Sequence, residues 1–336
     1  MKTALILAGA VAKGAFEAGV LSTLARNGVR VSSLVGASSG ALNVAVYAAG
    51  ARRGHEVEAT QRLIRLWTES ADWSGVLSWR GGGAPSGRGL SNQRSVLRLL
   101  NEAVCGWPSG GTLPVEARFI VTRLEGRQSE IGHRPATTFE DVVSFSGPDF
   151  DCGAGNKKIC AAAAASAAFP LVYTPAELPN LGACADGGIV NNTPIKRALE
   201  STDGIGRIIV VTPQPRVLEA PGSLSGTALL AHLADVLINE RLFRDLHDAE
   251  SINQQLAALT EKLGSVQAAR VASVLGWKHL EIVEIRPQKP LRGNAFAAFG
   301  ERALRSEYIE LGQAAAELAL PLLRQHPTVV VDCRPS

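Results

Sequence analysis

The chain has 336 residues, 34 Lys and Arg against 31 Asp and Glu, and a formal net charge of +3. That charge is too small and too dispersed for a nucleic-acid surface, and no apolar run reaches the roughly 18 residues that a membrane span needs. The cysteines Cys105, Cys152, Cys160, Cys184 and Cys333 are odd in number and lack C-x-x-C spacing. They read as reduced thiols of a cytoplasmic protein rather than as a disulfide framework.

Thr3 to Leu7 reads as a first buried strand. The opening also resembles a secretory signal, but its apolar run is short and the residues that follow suit a functional loop. After the loop Ala8 to Gly14, Ala15 to Asn27 predict a helix closed by Gly28. Val31 to Val35 predict a strand, Gly36-Ala37-Ser38-Ser39-Gly40 a sharp turn, and Ala41 to Ala49 a helix. Val57 to Ser70 form an amphipathic pattern with Leu63, Ile64 and Trp67 on one face. Asp72 to Gly89 is a loop, and Ser91 is expected to cap a helix running to Val104. Arg118 to Leu124 and Gln128 to His133 read as a hairpin around Glu125-Gly126.

Asp149 to Asn156 reads as a loop, and the Ala-rich stretch Lys157 to Ala168 as a helix stopped by Pro170. Gly182 to Ala185 predict a strand leading into Asp186-Gly187-Gly188, and Pro194 starts a helix. Arg207 to Thr212 and Leu280 to Ile285 are core strands, Gly226 to Leu263 a long helical pattern, and Glu301 to Arg324 the last helix. Thr328 to Val331 would add an edge strand. Strands alternating with helices predict an α/β class with a mainly parallel central sheet. One domain is expected, with a core over 3–213 and a helical and C-terminal completion over 225–332.

Gly36-Ala37-Ser38-Ser39-Gly40 has the form of a nucleophile elbow, G-x-S-x-G between strand and helix. Its glycines permit the tight turn that exposes the Ser38 hydroxyl beside a helix N-terminus. A serine hydroxyl needs a base. The histidines His55, His133, His232, His247, His279 and His326 do not sit in glycine-rich loops at strand ends. Asp186 does, so a carboxylate acting directly on Ser38 is the favoured pairing, and a Ser–His–Asp esterase the alternative. The glycine-bearing loop after the first strand offers N–H groups to an oxyanion. A nucleotide loop is less suited, because G-x-G-x-x-G is absent and Lys13-Gly14 is followed by Ala15.

Four motifs in order resemble the patatin-like phospholipase family. They are Leu7 to Gly14 followed by Gly19-Val20-Leu21; Gly36 to Asn43; Ala165-Ser166-Ala167-Ala168-Phe169-Pro170 with Pro175; and Asp186-Gly187-Gly188 with Asn192 and Pro194. The resemblance implies a three-layer α/β/α fold and a serine-dependent lipid acyl hydrolase acting on phospholipids or lysophospholipids. Ser38 would be the nucleophile and Asp186 the base, with an acyl-enzyme intermediate and neither metal nor cofactor. Gly9, Ala10 and Val11 would form the oxyanion hole. Lys13 would fix that loop or attract a phosphate head group, and Gly14, Gly36, Gly40, Gly187 and Gly188 would support the turns. Partners would be a lipid ester and, transiently, a membrane surface, with no nucleic acid.

One departure stands out. Ala10 and Val11 occupy positions where the family has glycine. Any residue but proline keeps its N–H, but β-branched Val11 tolerates positive φ poorly. A weakly active or non-catalytic lipid- or protein-binding relative is therefore a second expectation. Trp67, Trp73 and Trp79 are expected to be ordinary packing, with a lid or interfacial patch as the other reading.

Overall fold

The computed structural model describes residues 2–79, 91–108, 110–131, 134–170, 172–200, 204–217 and 226–324. Eight strands build one mixed, mainly parallel sheet. They are β1 (Lys2–Leu7), β2 (Ser33–Gly36), β3 (Glu116–Ile131), β4 (Arg134–Phe145), β5 (Ala176–Leu178), β6 (Gly182–Asp186), β7 (Ile205–Val211) and β8 (Glu281–Ile285). Their order is β8-β7-β1-β2-β3-β6-β5, with β4 paired to β3. The pairs from β8 to β3 are parallel; β4 and β6 run antiparallel to β3.

The central strands are apolar on both faces, as a covered parallel sheet requires. Leu5, Leu7, Leu34, Ile209 and Val211 join the larger core on one face. Ala4, Ile6, Val35, Ile208 and Val210 join the smaller core on the other. The larger core is closed by α1 (Gly14–Arg26), α2 (Ser39–Ala51), α3 (Glu56–Arg65), α4 (Arg94–Cys105), α5 (Gly153–Ser166) and, late in the chain, the helix Arg302–Arg324. The smaller is closed by Ile195 and Ala198 of a short helix and by Leu246 of α6 (Gly226–Leu263). After α6 come α7 (Ser265–Leu275) and α8, the helix Arg302–Arg324. Three layers result, as expected.

Several local expectations need correction. Ser91 does not cap α4: it pairs with Trp79 in a two-residue ladder, and Gln93 stands at the helix N-cap. The expected hairpin around Glu125-Gly126 is a single strand, β3, whose register shifts between Thr122 and Arg127. Gly126 sits there at φ +68°, so the Glu-Gly pair makes a bulge instead of a reversal. The true partner is β4, a segment with no strand assignment from sequence. Helix α5 starts at Gly153, before the expected Lys157, because the Cys152 Sγ accepts the Gly155 N–H. The helical pattern Gly226–Leu263 is unbroken, and Gly264 at φ +77° separates it from the unpredicted α7. The expected strand Thr328 to Val331 lies outside the described residues.

Helices α1 and α8 cross closely through two glycines. A Cβ at Gly19 would lie 2.0 Å from the Ile309 carbonyl oxygen, and one at Gly312 would lie 2.0 Å from that of Phe16. Backbones cannot approach so nearly with side chains between them. Gly312→Ala should therefore lower stability by about 1–3 kcal/mol in urea unfolding. Gly153→Ala, whose Cβ would meet nothing within 4 Å, should change it by less than about 0.5 kcal/mol. Equal stability of the two variants would contradict this crossing.

Candidate active site

Strand β2 delivers Ser38. It ends at Gly36, and α2 starts at Ser39, so the chain reverses across Ala37 and Ser38 alone. Ser38 takes φ 53° and ψ −127°, a strained conformation for a residue with a Cβ. The flanking glycines make the turn possible. A Cβ at Gly40 would stand 2.3 Å from the Leu7 carbonyl oxygen, and one at Gly36 would stand 2.7 Å from the Ala41 nitrogen. Ser38 is buried, and its N–H donates to Ser166 Oγ at 3.0 Å.

Asp186 arrives at the end of β6 through the same strand that holds β2. On β3, Phe119 pairs with Gly36 and Val121 with Asp186, while β4 takes the opposite edge. Thr122 Oγ1 donates to the Asp186 carbonyl at 2.7 Å. The result is a Ser38 Oγ to Asp186 Oδ2 hydrogen bond of 2.6 Å, with Oδ1 accepting the Gly188 N–H at 2.7 Å. The glycines here are required by close approach: a Cβ at Gly187 would lie 2.0 Å from the Ile120 carbonyl oxygen. Burial pushes the Asp186 carboxyl up to about 6, and the hydrogen bonds from Ser38 and Gly188 oppose that rise.

A family model described as patatin-like phospholipase matches residues 5–199, more than half of the chain. The chain belongs to the patatin-like phospholipase family. Lipid acyl hydrolysis is the general activity of that family. The matched region spans the elbow, Asp186 and the loop after β1. A search of solved structures finds VipD from Legionella pneumophila, 14% identical with a TM-score of 0.46, over 96% of this chain and 67% of that one. No curated protein matches.

The patatin-type loop after β1 departs from its glycine pattern at Ala10 and Val11, and its N–H groups are unequal. The Gly9 N–H points to the Asn192 carbonyl at 3.4 Å, and Asn192 Nδ2 returns a bond to the Gly9 carbonyl at 3.0 Å. Ala10 donates to Ser39 Oγ at 3.0 Å. Val11 adopts φ 52°, the conformation its β-branch resists, and its N–H has no hydrogen bond among the described residues. Gly9 has no room for a side chain: a Cβ would lie 2.6 Å from that of Ser38. Lys13 is buried at the end of this loop.

Beside Ser38 opens a cavity of about 110 Å³, lined mainly by apolar side chains including Leu42, Val46, Leu63, Trp67 and Leu100. Trp73, Phe169, Phe296 and Phe299 form an aromatic cluster along it. Trp67 is buried, as packing predicts, whereas Trp73 is 40% exposed and stacks on Phe296. The Trp79 side chain and the segment 80–90 lie outside those described. His55, His247 and His279 are exposed and line no part of the cavity. The side chains of His133, His232 and His326 lie outside those described.

Ser39, Ser166, Thr122 and Asn192 had no assigned role from sequence. Ser39, Ser166 and Asn192 stand inside the family motifs, which is the one signal that marks them; Thr122 has none.

The raised carboxyl of Asp186 has a consequence for stability. Its contribution is fully present below its unfolded value near 4 and is lost as pH rises through about 6. Asp186→Asn should therefore be more stable than wild type at pH 8, by about 2–3 kcal/mol, and nearly equal to it at pH 4. Thermal unfolding at both pH values measures this; an unchanged difference would show that burial is not the cause.

Proposed function

We propose that this protein is a serine-dependent lipid acyl hydrolase working through a Ser38–Asp186 dyad on fatty-acyl esters of phospholipids or lysophospholipids. The observation that carries the reading is the 2.6 Å Ser38–Asp186 hydrogen bond at the tip of a strained elbow, beside an apolar cavity. Asp186 takes the Ser38 proton as Oγ attacks the ester carbonyl carbon. The carbonyl π electrons move to oxygen, and the Val11 N–H supports that oxyanion. Collapse breaks the bond to the alcohol oxygen, which leaves with the proton from Asp186. Water then attacks the acyl-enzyme, giving up a proton to Asp186, and Ser38 recovers it as the fatty acid departs.

The cavity suits the acyl chain, and exposed Trp73 suits transient contact with a membrane surface, since tryptophan favours the apolar–aqueous boundary. A second reading, a weakly active or binding relative, is favoured by one observation. Of the three expected donors, Ala10 is already bonded to Ser39 and Val11 is strained.

Hydrolysis of p-nitrophenyl esters separates the two. The wild type should be active, and Ser38→Ala and Asp186→Asn should each fall by about 10³-fold or more. A folded wild type that cleaves no ester and takes no fluorophosphonate at Ser38 would favour the binding relative. For the active enzyme, kcat/KM should rise with pH through about 6 as Asp186 loses its proton. A profile flat between pH 5 and 7 would count against Asp186 as the base.

A further inference from the structure

Asn43 is buried one turn after Ser39 on α2, and it lines the cavity. Its amide is engaged from both ends. Nδ2 donates to the Gly14 carbonyl at 2.9 Å and to Glu17 Oε2 at 2.8 Å. Oδ1 accepts the Trp67 indole N–H at 2.9 Å. Glu17 is wholly buried, and its other oxygen has no hydrogen-bond partner among the described residues. Burial holds its carboxyl well above the usual range, and the hydrogen bond from Asn43 only partly offsets that rise. The Trp67 ring also packs on Gly14, where a Cβ would come within 2.9 Å of Cζ2.

These contacts converge on the loop that carries the Val11 N–H. Ser39 fastens that loop at the Ala10 N–H, and Asn43 fastens it three residues beyond Val11, at the Gly14 carbonyl. Val11 sits between the two in a conformation its side chain resists. A donor free to relax would not be aimed at an oxyanion in advance.

We infer that Asn43 is a positioning residue, which holds the oxyanion loop in register with Ser38 and is itself fixed by the Trp67 indole and the Glu17 carboxyl. The inference rests on the acyl-hydrolase reading and adds to it a link between the cavity wall and the oxyanion donor. Because Trp67 also lines the cavity, a simple wall role and a positioning role make different predictions. A wall contact acts on binding of long acyl chains. A positioning contact acts on the chemical step, whatever the chain length.

The test measures kcat and KM for p-nitrophenyl acetate and p-nitrophenyl decanoate. Trp67→Phe keeps a ring against Gly14 and removes the N–H; Asn43→Ala removes the hub. Both should lower kcat on both esters by about tenfold to a hundredfold, with KM for the acetate unchanged. Glu17→Gln, which preserves an acceptor for Asn43, should stay close to wild type, whereas Glu17→Leu should resemble Asn43→Ala. A rise in KM for decanoate alone would overturn the inference and leave Trp67 and Asn43 as cavity wall. A loss in Glu17→Gln as large as in Glu17→Leu would also overturn it, because an acceptor for Asn43 would then not be what residue 17 supplies. If Asn43→Ala does not fold, Trp67→Phe decides. A wild type inactive on both esters and unlabelled by fluorophosphonate overturns the hydrolase reading, and this inference with it.

Discussion

Strand β3 sets the distance between the serine and the carboxylate. One of its edges pairs first with Gly36 at the end of β2 and then, two residues on, with Asp186 at the end of β6. Backbone ladders fix such spacings more tightly than side chains do, because each hydrogen bond removes freedom from two chains at once. Ser and Asp are short, with few rotamers, and reach each other at 2.6 Å because the backbones already lie at the right separation. The change of direction along that edge, from parallel β2 to antiparallel β6, brings two strand ends together. A purely parallel neighbour would have delivered a strand start beside β2's end.

The approach that this creates leaves little space. Gly9, Gly36, Gly40 and Gly187 each stand where a Cβ would collide with backbone or with Ser38 itself. At these positions the requirement is for absence of a side chain, not for conformational freedom, since none of them takes positive φ. The residues that do take it around the site are Val11 and Ser38. Strain is thus concentrated in the two groups proposed to meet the ester carbonyl, and the surrounding hydrogen bonds, accepted by Ser39 and Ser166 and donated by Asn192, hold it there.

The parts of this arrangement that were legible in the sequence were the local ones. Alternating strands and helices gave the α/β class and the mainly parallel sheet, and the family motifs implied the three layers; the elbow and the Asp-Gly-Gly turn marked Ser38 and Asp186, because turn chemistry is written in adjacent residues. The long strand β3 was misread at Glu125-Gly126, since a glycine after a polar residue serves a bulge as well as a reversal. Strand β4 was missed because Thr137, Thr138, Glu140 and Asp141 interrupt its apolar residues, leaving no clean alternation. The partners of the site stand in the family motifs, but their contacts do not show there. Ser166 is 128 residues from Ser38, and Asn192 is 183 from Gly9, so nothing local says what they bond. Val11 was flagged as intolerant of positive φ, yet it takes that conformation, because the bonds of Ala10 to Ser39 and of Ala12 to the Ala295 carbonyl fix the loop on either side.

Two buried carboxyls flank the elbow, and the same desolvation acts on both. What distinguishes them is the supply of donors. Asp186 has one for each oxygen, the Ser38 hydroxyl and the Gly188 N–H, and both favour the ionised form. Its carboxyl therefore settles at about 6, so that it is a carboxylate at neutral pH yet basic enough to accept a proton. Among the described residues Glu17 has a donor for one oxygen only, so burial raises its carboxyl with less opposing it. An acid of the first kind suits the proton exchange proposed for the dyad. Glu17 instead holds the Asn43 amide, which is proposed to position the loop after β1. Environment, not residue type, divides the two tasks.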